Sequence, residues 1–229
     1  MVQSTPRRSG NRCSMPSCKK RKPVADHDFE TVESETIYVG SIFALRGDEV
    51  RMPGGKTAKR EVVEHFGAVA VLAIDEENNI ALVYQYRQPF GRRLWELPAG
   101  LLDVGGEAPH LTAARELREE AGLAARDWRV LVDLDTAPGY SDESVRVYRA
   151  TVLSDAGRPD AHDEEADLRL EWFSLVDAVG MVFDGEIVNS IAVAGILAAQ
   201  AMPDTDALRP VDAPWVDRPT SFQRRKDQR

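Results

Sequence analysis

The stretch that most constrains this chain runs from Gly100 to Leu123 and reads GLLDVGGEAPHLTAARELREEAGL. A glycine-rich loop opens it, and a helix follows that begins near Pro109, a residue accepted in a first helical turn, and ends at Gly122. With about 100° between successive residues, one side of this helix is an apolar stripe that suits a protein core. That stripe consists of Ala113, Ala114, Leu117 and Ala121.

Glu116 and Glu120 lie one helical turn apart, beside this stripe. Two like charges at this spacing destabilise a helix, and more strongly when they are partly removed from water. A divalent cation would offset the repulsion. Mg²⁺ suits such a site, because it takes one or two protein carboxylates and fills its other positions with water and phosphate oxygens. The alternative is a solvated helix face on which Arg115 and Glu119 form a surface ion pair.

The segment resembles the Nudix box, in which a glycine, five residues, a glutamate and seven residues precede Arg-Glu-U-x-Glu-Glu-x-Gly-U, where U is aliphatic. From Glu107 onward the agreement is complete: seven residues lead to Arg115, and RELREEAGL places Leu117 and Leu123 at the aliphatic positions. One departure occurs, because six residues instead of five separate Gly100 from Glu107. The resemblance to the Nudix hydrolases therefore predicts a loop with one extra residue before the helix.

The resemblance implies the Nudix fold, a mixed β-sheet sandwiched between helices, which is an α/β fold of the α+β kind. It implies Mg²⁺ as the cofactor, with Mn²⁺ as the alternative. Arg115 would orient Glu119 or Glu116, and Glu107 would support the helix. The implied metal ligands are Glu116, Glu120, the backbone carbonyl of Ala99, and Glu119 as a ligand or a neighbour of the ligands.

The pattern of apolar and polar residues gives the same architecture independently, because strands come first, one helix lies in the middle and helices come last. Strands are predicted at Thr36–Val39, Ile42–Leu45, Val50–Met52, Arg60–Phe66, Ala68–Ile74, Ile80–Arg87, Leu94–Leu97, Trp128–Thr136, Ser144–Val152 and Leu168–Ser174, and further helices at Leu175–Phe183 and Asn189–Ala201. Ala99–Gly106 is predicted as a loop, and Arg46–Asp48 and Pro53–Gly55 are predicted as turns.

We predict four parts along the chain. They are a basic leader over 1–27, a small N-terminal antiparallel β element over 28–58, a Nudix hydrolase domain over 59–210 and a C-terminal tail over 211–229 that is polar and frayed at its end. The leader contains KKRK and two cysteines, but it lacks the apolar core of a secretory signal. A disordered tail, or an extension upstream of a start at Met15, explains it best.

Hydrolysis also requires a base that takes a proton from water. In Nudix hydrolases that act on ADP-ribose, this base is usually a glutamate on a loop well after the box. The acidic run HDEEAD, residues 162–167, precedes the predicted strand at Leu168. The resemblance therefore nominates Glu165 as the catalytic base, with Glu164 as its substitute. The alternative is an acidic surface turn.

The substrate markers after the box conflict. Pro138 lies 15 residues after Leu123, as in ADP-ribose pyrophosphatases, whereas Tyr140 lies 17 residues after it, near a position associated with diadenosine polyphosphate hydrolases. The N-terminal β element and the segments REVVEHFGAVAVLA, YQYRQPFGRRLWELPAGLLD and DTAPGYSDESVRVY favour a resemblance to bacterial ADP-ribose pyrophosphatases. This resemblance implies cleavage of ADP-ribose to AMP and ribose 5-phosphate. It nominates Arg60, Arg87, Leu101, Pro138, Ser141 and Glu143 as substrate-binding residues.

Charge limits the partners. Seven Lys and Arg and no acids lie in residues 1–25, which leaves 22 bases against 38 acids in the rest of the chain. A body that acidic repels nucleic acid, and no apolar run is long enough to cross a membrane. We therefore expect a cytoplasmic protein whose ligand is a small, metal-neutralised anion, and the resemblance implies that this anion is a nucleoside diphosphate sugar. The resemblance adds a homodimer formed through the N-terminal β element.

Three rival functions stay open. The chain could be a Nudix pyrophosphatase for GDP-mannose, for a dinucleoside polyphosphate or for an oxidised nucleotide. It could be a nucleotide-sensing Nudix domain without catalysis, although keeping Glu116, Glu120 and a base argues against this. It could remove caps from nucleic acid, which the acidic body disfavours.

Overall fold

A computed structural model describes residues 28–159 and 167–227 of the chain. The strands are β1 (Thr31–Val39), β2 (Phe43–Arg51), β3 (Thr57–His65), β4 (Ala68–Ala73), β5 (Asn79–Arg87), β6 (Arg92–Glu96), β7 (Ala99–Leu101), β8 (Leu123–Asp135), β9 (Ser144–Asp155), β10 (Arg169–Ser174) and β11 (Arg209–Pro210). The helices are α1 (Pro109–Ala121), α2 (Leu175–Phe183), α3 (Ser190–Ala201) and α4 (Ser221–Asp227). In this part of the chain, no helix combines the length and the apolar character that a membrane crossing requires.

The strands form three sheets, and the largest is mixed. Its strand order is β11-β8-β9-β4-β7, with β4 parallel to β9 and antiparallel to β7. A second sheet has the order β10-β5-β6, and the N-terminal sheet has the order β1-β2-β3. Helix α1 covers one face of the mixed sheet, while α2 and α3 cover the other. The predicted α+β architecture, with a mixed sheet between helices and an antiparallel N-terminal element, is confirmed.

Strand β4 is the centre of the core, and its six residues are all buried. Successive side chains of a strand point to opposite faces. Val69 and Val71 therefore pack with Leu117 of α1, while Ala70 and Leu72 pack on the opposite side with Ile196 of α3. A strand that is covered on both faces reads as a continuous apolar run, which is why AVAVLA shows no alternation.

The predicted turn at Arg46–Asp48 is wrong, because β2 passes through these residues without a break. Gly47 lies opposite Glu35 of β1 and Glu61 of β3, so the strand is paired on both sides at this point. Pairing on two sides holds a glycine extended despite its weak preference for strands. The turn predicted at Pro53–Gly55 does connect β2 to β3.

Two other expectations need correction. The predicted loop at Ala99–Gly106 begins with β7, which pairs with β4 over three residues. The predicted fraying at the end of the chain is wrong for residues 221–227, which form α4. Helix α4 is held because Phe222 is fully buried and lies 4.4 Å, centroid to centroid, from the ring of Phe66.

A buried carboxylate fastens α4 to the N-terminal sheet. Glu64 on β3 is 2% exposed, and it accepts hydrogen bonds from Arg46 at 2.6 Å and from Arg225 of α4 at 2.7 and 3.0 Å. Burial alone would raise the pKa of Glu64, but the hydrogen bonds from Arg225 and Arg46 outweigh it and hold the pKa below the ordinary value. Three distant segments therefore meet at one acid.

We expect Glu64→Gln to lower the free energy of unfolding by about 2 kcal/mol, because it leaves two arginines without their shared carboxylate. Glu61→Gln, at an exposed position of the same strand, is the matched control and should change stability little. Since the pKa of Glu64 is lowered in the folded protein, its stabilisation is present above the ordinary carboxyl pKa and is lost as the pH falls through the folded value. Urea denaturation of both variants between pH 7 and pH 3 measures this; a constant difference across that range would contradict the assignment.

Candidate active site

The carboxylate of Glu116 lies directly against strand β7. Gly100 has no side chain, and a Cβ atom placed there would fall 2.1 Å from the Glu116 Cδ and Oε1 atoms. Real Cβ atoms do not approach other atoms so closely, so the glycine makes the space that the carboxylate occupies. The Glu116 carboxylate can occupy this place against β7 only because position 100 is glycine.

Glu120 lies one turn further along α1 and reaches the same strand. It is 8% exposed, and its Oε2 accepts a hydrogen bond of 3.0 Å from the backbone N–H of Ala99. Burial and the nearby charges of Glu116 and Glu96 raise the pKa of Glu120 to about 8, although the Ala99 N–H and Arg87 act in the opposite direction. The site therefore brings acidic side chains together where little water is present, so that Glu120 ionises with difficulty unless a cation is nearby.

Arg115 forms hydrogen bonds with two glutamates of α1, Glu116 and Glu119. Its Nη1 donates to Glu116 Oε1 at 2.7 Å and to Glu119 Oε2 at 3.0 Å, so it contacts both of the acids between which the resemblance left the choice open. Glu107 accepts a hydrogen bond of 2.7 Å from Thr112 Oγ1 and lies 3.7 Å from an Arg115 nitrogen. Glu107 thus contacts the first turns of α1 through Thr112 and Arg115.

The extra residue of the box loop is accommodated at the surface. Residues 103–106 are exposed, and a turn closes where the Glu107 N–H donates to the Val104 carbonyl at 3.2 Å. Leu102, just before this turn, is anchored by its N–H to the Gly67 carbonyl at 3.1 Å. The exposed turn therefore lies after β7 and before α1, outside the contact between them.

Glu96 is a site residue that the sequence reading did not single out. It is 3% exposed, and Arg87 holds it through two hydrogen bonds of 2.9 and 2.7 Å from Nε and Nη2. Both residues influence the pKa of Glu120, so they are its electrostatic neighbours. The sequence feature that could have indicated Glu96 is its position as the only acid inside the apolar run LWELP.

The loop between β8 and β9 is fixed to the end of β3. Val63 donates to the Tyr140 carbonyl at 2.7 Å and accepts from the Asp142 N–H at 3.0 Å, while the His65 N–H donates to Asp142 Oδ1 at 2.8 Å. Burial raises the pKa of Asp142. Glu143 pairs with Thr136 and lies 3.6 Å from His65 Nδ1, and its N–H bonds to Ser141 Oγ.

The strand register places this loop and β7 at the same end of the mixed sheet. Ala68 is opposite Leu101 on one side and opposite Val145 on the other. Since neighbouring strands are about 5 Å apart, the start of β9 lies about 10 Å from the end of β7. Leu101, Ser141 and Glu143 therefore lie at the same end of the mixed sheet.

The other substrate-binding candidates differ in position. Pro138 is exposed at the tip of the β8–β9 loop. Arg87 lies beside Glu120, but its Nε and Nη2 edge is occupied by Glu96. Arg60 is exposed on the N-terminal sheet, where its side chain bonds to the Lys59 carbonyl and to Met52. The structure describes no contact between Arg60 and the box helix.

Glu164 and Glu165 lie outside the described residues, but both flanks of their segment are described. Arg158 donates from Nε to the Glu119 carbonyl at 3.1 Å and from Nη1 to the Leu168 carbonyl at 3.2 Å. Asp167 forms an ion pair with Arg93. Residues 158 and 168, which flank this segment, therefore lie beside the last turns of α1.

The donor set fits a hard divalent cation with few protein ligands. Within residues 28–159 and 167–227, no group of three or more His, Cys, Asp and Glu side chains is arranged to hold a metal ion. Two carboxylates against β7 remain, together with the backbone oxygens of that strand. Mg²⁺ commonly takes such a partial set, because water and substrate phosphate complete its octahedron.

Comparison with known proteins agrees with this geometry. A family model described as NUDIX domain matches residues 56–190, and one described as Nucleoside diphosphate sugar hydrolase N-terminal domain matches residues 29–63. An ADP-ribose pyrophosphatase of Mycobacterium tuberculosis is 64% identical over 207 residues, which cover 90% of this chain and 100% of that protein. An ADP-ribose pyrophosphatase of Bacillus subtilis is 38% identical over 161 residues, covering 70% of this chain and 86% of that protein.

A solved structure has the same fold. It is described as a crystal structure of ADP compounds hydrolase, and it aligns with a TM-score of 0.67 at 19% identity over 78% of this chain and 96% of that chain. The matched model spans the box and the sheet around it, and the first of these relatives is covered along its entire length. On these grounds the chain belongs to the Nudix hydrolase family.

Proposed function

We propose that this protein hydrolyses the diphosphate bond of ADP-ribose to AMP and ribose 5-phosphate, with Mg²⁺ as its cofactor. The single observation that carries the proposal is the placement of Glu116 and Glu120, with both carboxylates against β7. Two relatives described as ADP-ribose pyrophosphatases, one of them 64% identical, support the choice of substrate.

Glu116 and Glu120 would hold the metal together with the carbonyl of Ala99. When bound, Mg²⁺ supplies positive charge that polarises the phosphoryl oxygens and makes water a better nucleophile. Glu119, which contacts Arg115, serves as a neighbour of the ligands. Arg115 keeps Glu116 in place through its 2.7 Å hydrogen bond, so one side chain positions two acids of the helix.

The charge balance of the site favours this assignment. Glu120 is almost fully buried and lies near two further acids, Glu116 and Glu96. An uncompensated carboxylate in such a place costs several kcal/mol, so it either takes up a proton or binds a cation. Arg87 offsets part of the charge, but Glu96 already occupies the edge of its guanidinium group. A divalent cation is the compensation that also brings a diphosphate to the site.

The substrate would extend from β7 toward the β8–β9 loop. Leu101 lies at the end of β7, and Ser141 and Glu143 lie at the same edge of the sheet, in a loop fixed to β3. Pro138 would meet the nucleotide at the tip of that loop. Arg87, whose charge acts on Glu120, would bind the diphosphate of the substrate. Its guanidinium group would then donate hydrogen bonds to phosphate oxygens in place of the carboxylate of Glu96.

Glu165 would take the proton from the attacking water, with Glu164 as its substitute. Support comes from the flanks, because Arg158 ties residues 158 and 168 together beside the end of α1. The nine residues between these flanks make a segment long enough to reach the carboxylates of the same helix.

The N-terminal sheet would form a homodimer in the cytoplasm. It carries large apolar side chains that are exposed in a single subunit: Phe29, Val32, Ile37, Tyr38, Ile42 and Phe43. Several large exposed apolar side chains in one small sheet favour an interface. Arg60 lies on the same sheet, so in a dimer it would contact the substrate that is bound to the other subunit. A monomer mass at all concentrations in analytical ultracentrifugation would contradict the dimer.

The direct test is to incubate the purified protein with ADP-ribose, GDP-mannose, a diadenosine polyphosphate and NADH, with Mg²⁺ or with EDTA. We expect AMP and ribose 5-phosphate from ADP-ribose, with the highest kcat/KM of the panel, and no turnover in EDTA. Glu120→Gln should lower kcat by about a hundredfold or more. Glu76→Gln, at an exposed turn, is the control. If another compound is cleaved faster, that compound is the substrate and the assignment of ADP-ribose is wrong. If no compound is cleaved, the protein binds nucleotides without hydrolysing them.

The base assignment has its own prediction. Glu165→Gln should lower kcat by about a hundredfold, because a general base contributes at least that much, and should leave KM and Mg²⁺ affinity close to those of the unchanged protein. Glu164→Gln is the matched variant and should lose little. A pH profile of kcat that keeps its acidic limb in Glu165→Gln, or full activity in both variants, would place the base elsewhere.

A further inference from the structure

A cleft lies on the face of the mixed sheet that is opposite to α1. Its volume is about 450 Å³, and it is bounded by the turn before β5, the first turn of α2 and the end of α3. Arg149 of β9 points into this side of the molecule, because its neighbours Tyr148 and Ala150 pack with α1 on the other face. The cleft is therefore separated from Glu116 and Glu120 by the sheet. Its lining includes Asn78, Arg149, Ser174, Val176, Gln200 and Pro203.

Arg149 is a buried cation whose hydrogen bonds are incomplete. It is 8% exposed, and its Nη1 donates weakly to the carbonyls of Met202 at 3.3 Å and Pro203 at 3.2 Å. Its Nε is buried without a hydrogen-bond partner, whereas Nη2 is not closed off from solvent and donates to no described residue. Buried polar groups normally have hydrogen-bond partners, so the buried Nε of Arg149 is a place where an acceptor from a ligand would be favourable.

Other arginines of this protein show what normally fills that edge. Nε and Nη2 of Arg87 hold both oxygens of Glu96, those of Arg146 hold Asp133, and those of Arg225 hold Glu64. In each case two oxygens of one anion meet two parallel N–H groups. Arg149 presents the same edge, and no carboxylate of the described residues lies within ion-pair distance of it.

The neighbouring charge increases the need for an anion. Arg129 of β8 lies directly opposite Arg149 in the strand register, so both side chains are on the same face. The Nε of Arg129 is likewise buried without a hydrogen-bond partner, and Asp127 lies 3.6 Å from it. Burial lowers the pKa of Arg149, and Asp127 opposes this only in part. The one acid that lines the cleft, Glu77, is exposed at its rim.

We propose that this cleft is a second binding site, which holds the phosphate group of a small phosphorylated compound on the Nε and Nη2 edge of Arg149. Phosphate offers the paired oxygens that this edge accepts. The cleft is large enough for a sugar phosphate or a nucleotide, and Val176 and Ala199 give the rest of the ligand an apolar wall. Because the site faces away from the box helix, the inference does not depend on the proposed function.

The test uses two-dimensional ¹H–¹⁵N NMR on the full chain in EDTA, titrated with inorganic phosphate, ribose 5-phosphate, AMP and, as a carboxylate probe, acetate. We expect saturable shifts of the Arg149 Nε–H resonance and of the backbone amides of Val176 and Gln200. Ribose 5-phosphate or AMP should bind more tightly than phosphate, and acetate more weakly. Arg149→Gln should weaken phosphate binding by about tenfold or more. Arg126→Gln removes the same charge from an exposed position of β8 and should change the affinity little.

Three outcomes would overturn the proposal. The first is an Arg149 Nε–H resonance that does not move with any of the phosphates, which can be read in the unchanged protein even if Arg149→Gln does not fold. The second is equal binding by Arg149→Gln and the unchanged protein. The third is a set of shifts confined to α1 and β7, which would mean that phosphate binds only at the box helix. In each case Arg149 would only cap the carbonyls at the end of α3.

Discussion

The contact between helix α1 and strand β7 is the constraint on which the candidate active site depends. Glu116 occupies the space that a side chain at position 100 would fill, and Glu120 accepts the N–H of Ala99. These two contacts bring like charges into a buried position, which is unfavourable unless a cation joins them. The stability of the apolar core, where Leu117 of the same helix packs on β4, holds the acids there.

The remainder of the site follows from the position of β4 in the mixed sheet. Since β4 pairs with β7 on one side and with β9 on the other, the box strand and the β8–β9 loop end at the same edge. The N-terminal sheet reaches this edge through β3, whose residues Val63 and His65 fix the loop, while Glu64 between them binds α4. The opposite face of the sheet carries the buried Arg149 and its cleft, which are separated from the box acids by the sheet itself.

The helices of the core and the two acids of the box could be predicted from the sequence, because they depend on residues that are close together along the chain. The box spacing predicted α1 and its two acids, and the bounds of α2 agree with the predicted Leu175–Phe183. Features that depend on pairing between distant segments could not be predicted. Gly47 is extended because strands flank it on both sides, α4 forms because Phe222 finds Phe66, and Glu96 belongs to the site because Arg87 of another strand holds it. The opposition of Arg129 and Arg149 depends on a register that shifts at a bulge after Val130.

The most direct test of the central claim measures the divalent cation itself and not turnover. Mn²⁺ binding can be followed by electron paramagnetic resonance in the unchanged protein, in Gly100→Ala and in Gly180→Ala. A methyl group at position 100 would collide with the Glu116 carboxylate, whereas a Cβ at position 180 meets no atom within 4 Å. The account predicts binding to the unchanged protein and to Gly180→Ala, with affinity reduced about tenfold or more in Gly100→Ala. Equal affinity in Gly100→Ala, or no binding to the unchanged protein, would contradict it.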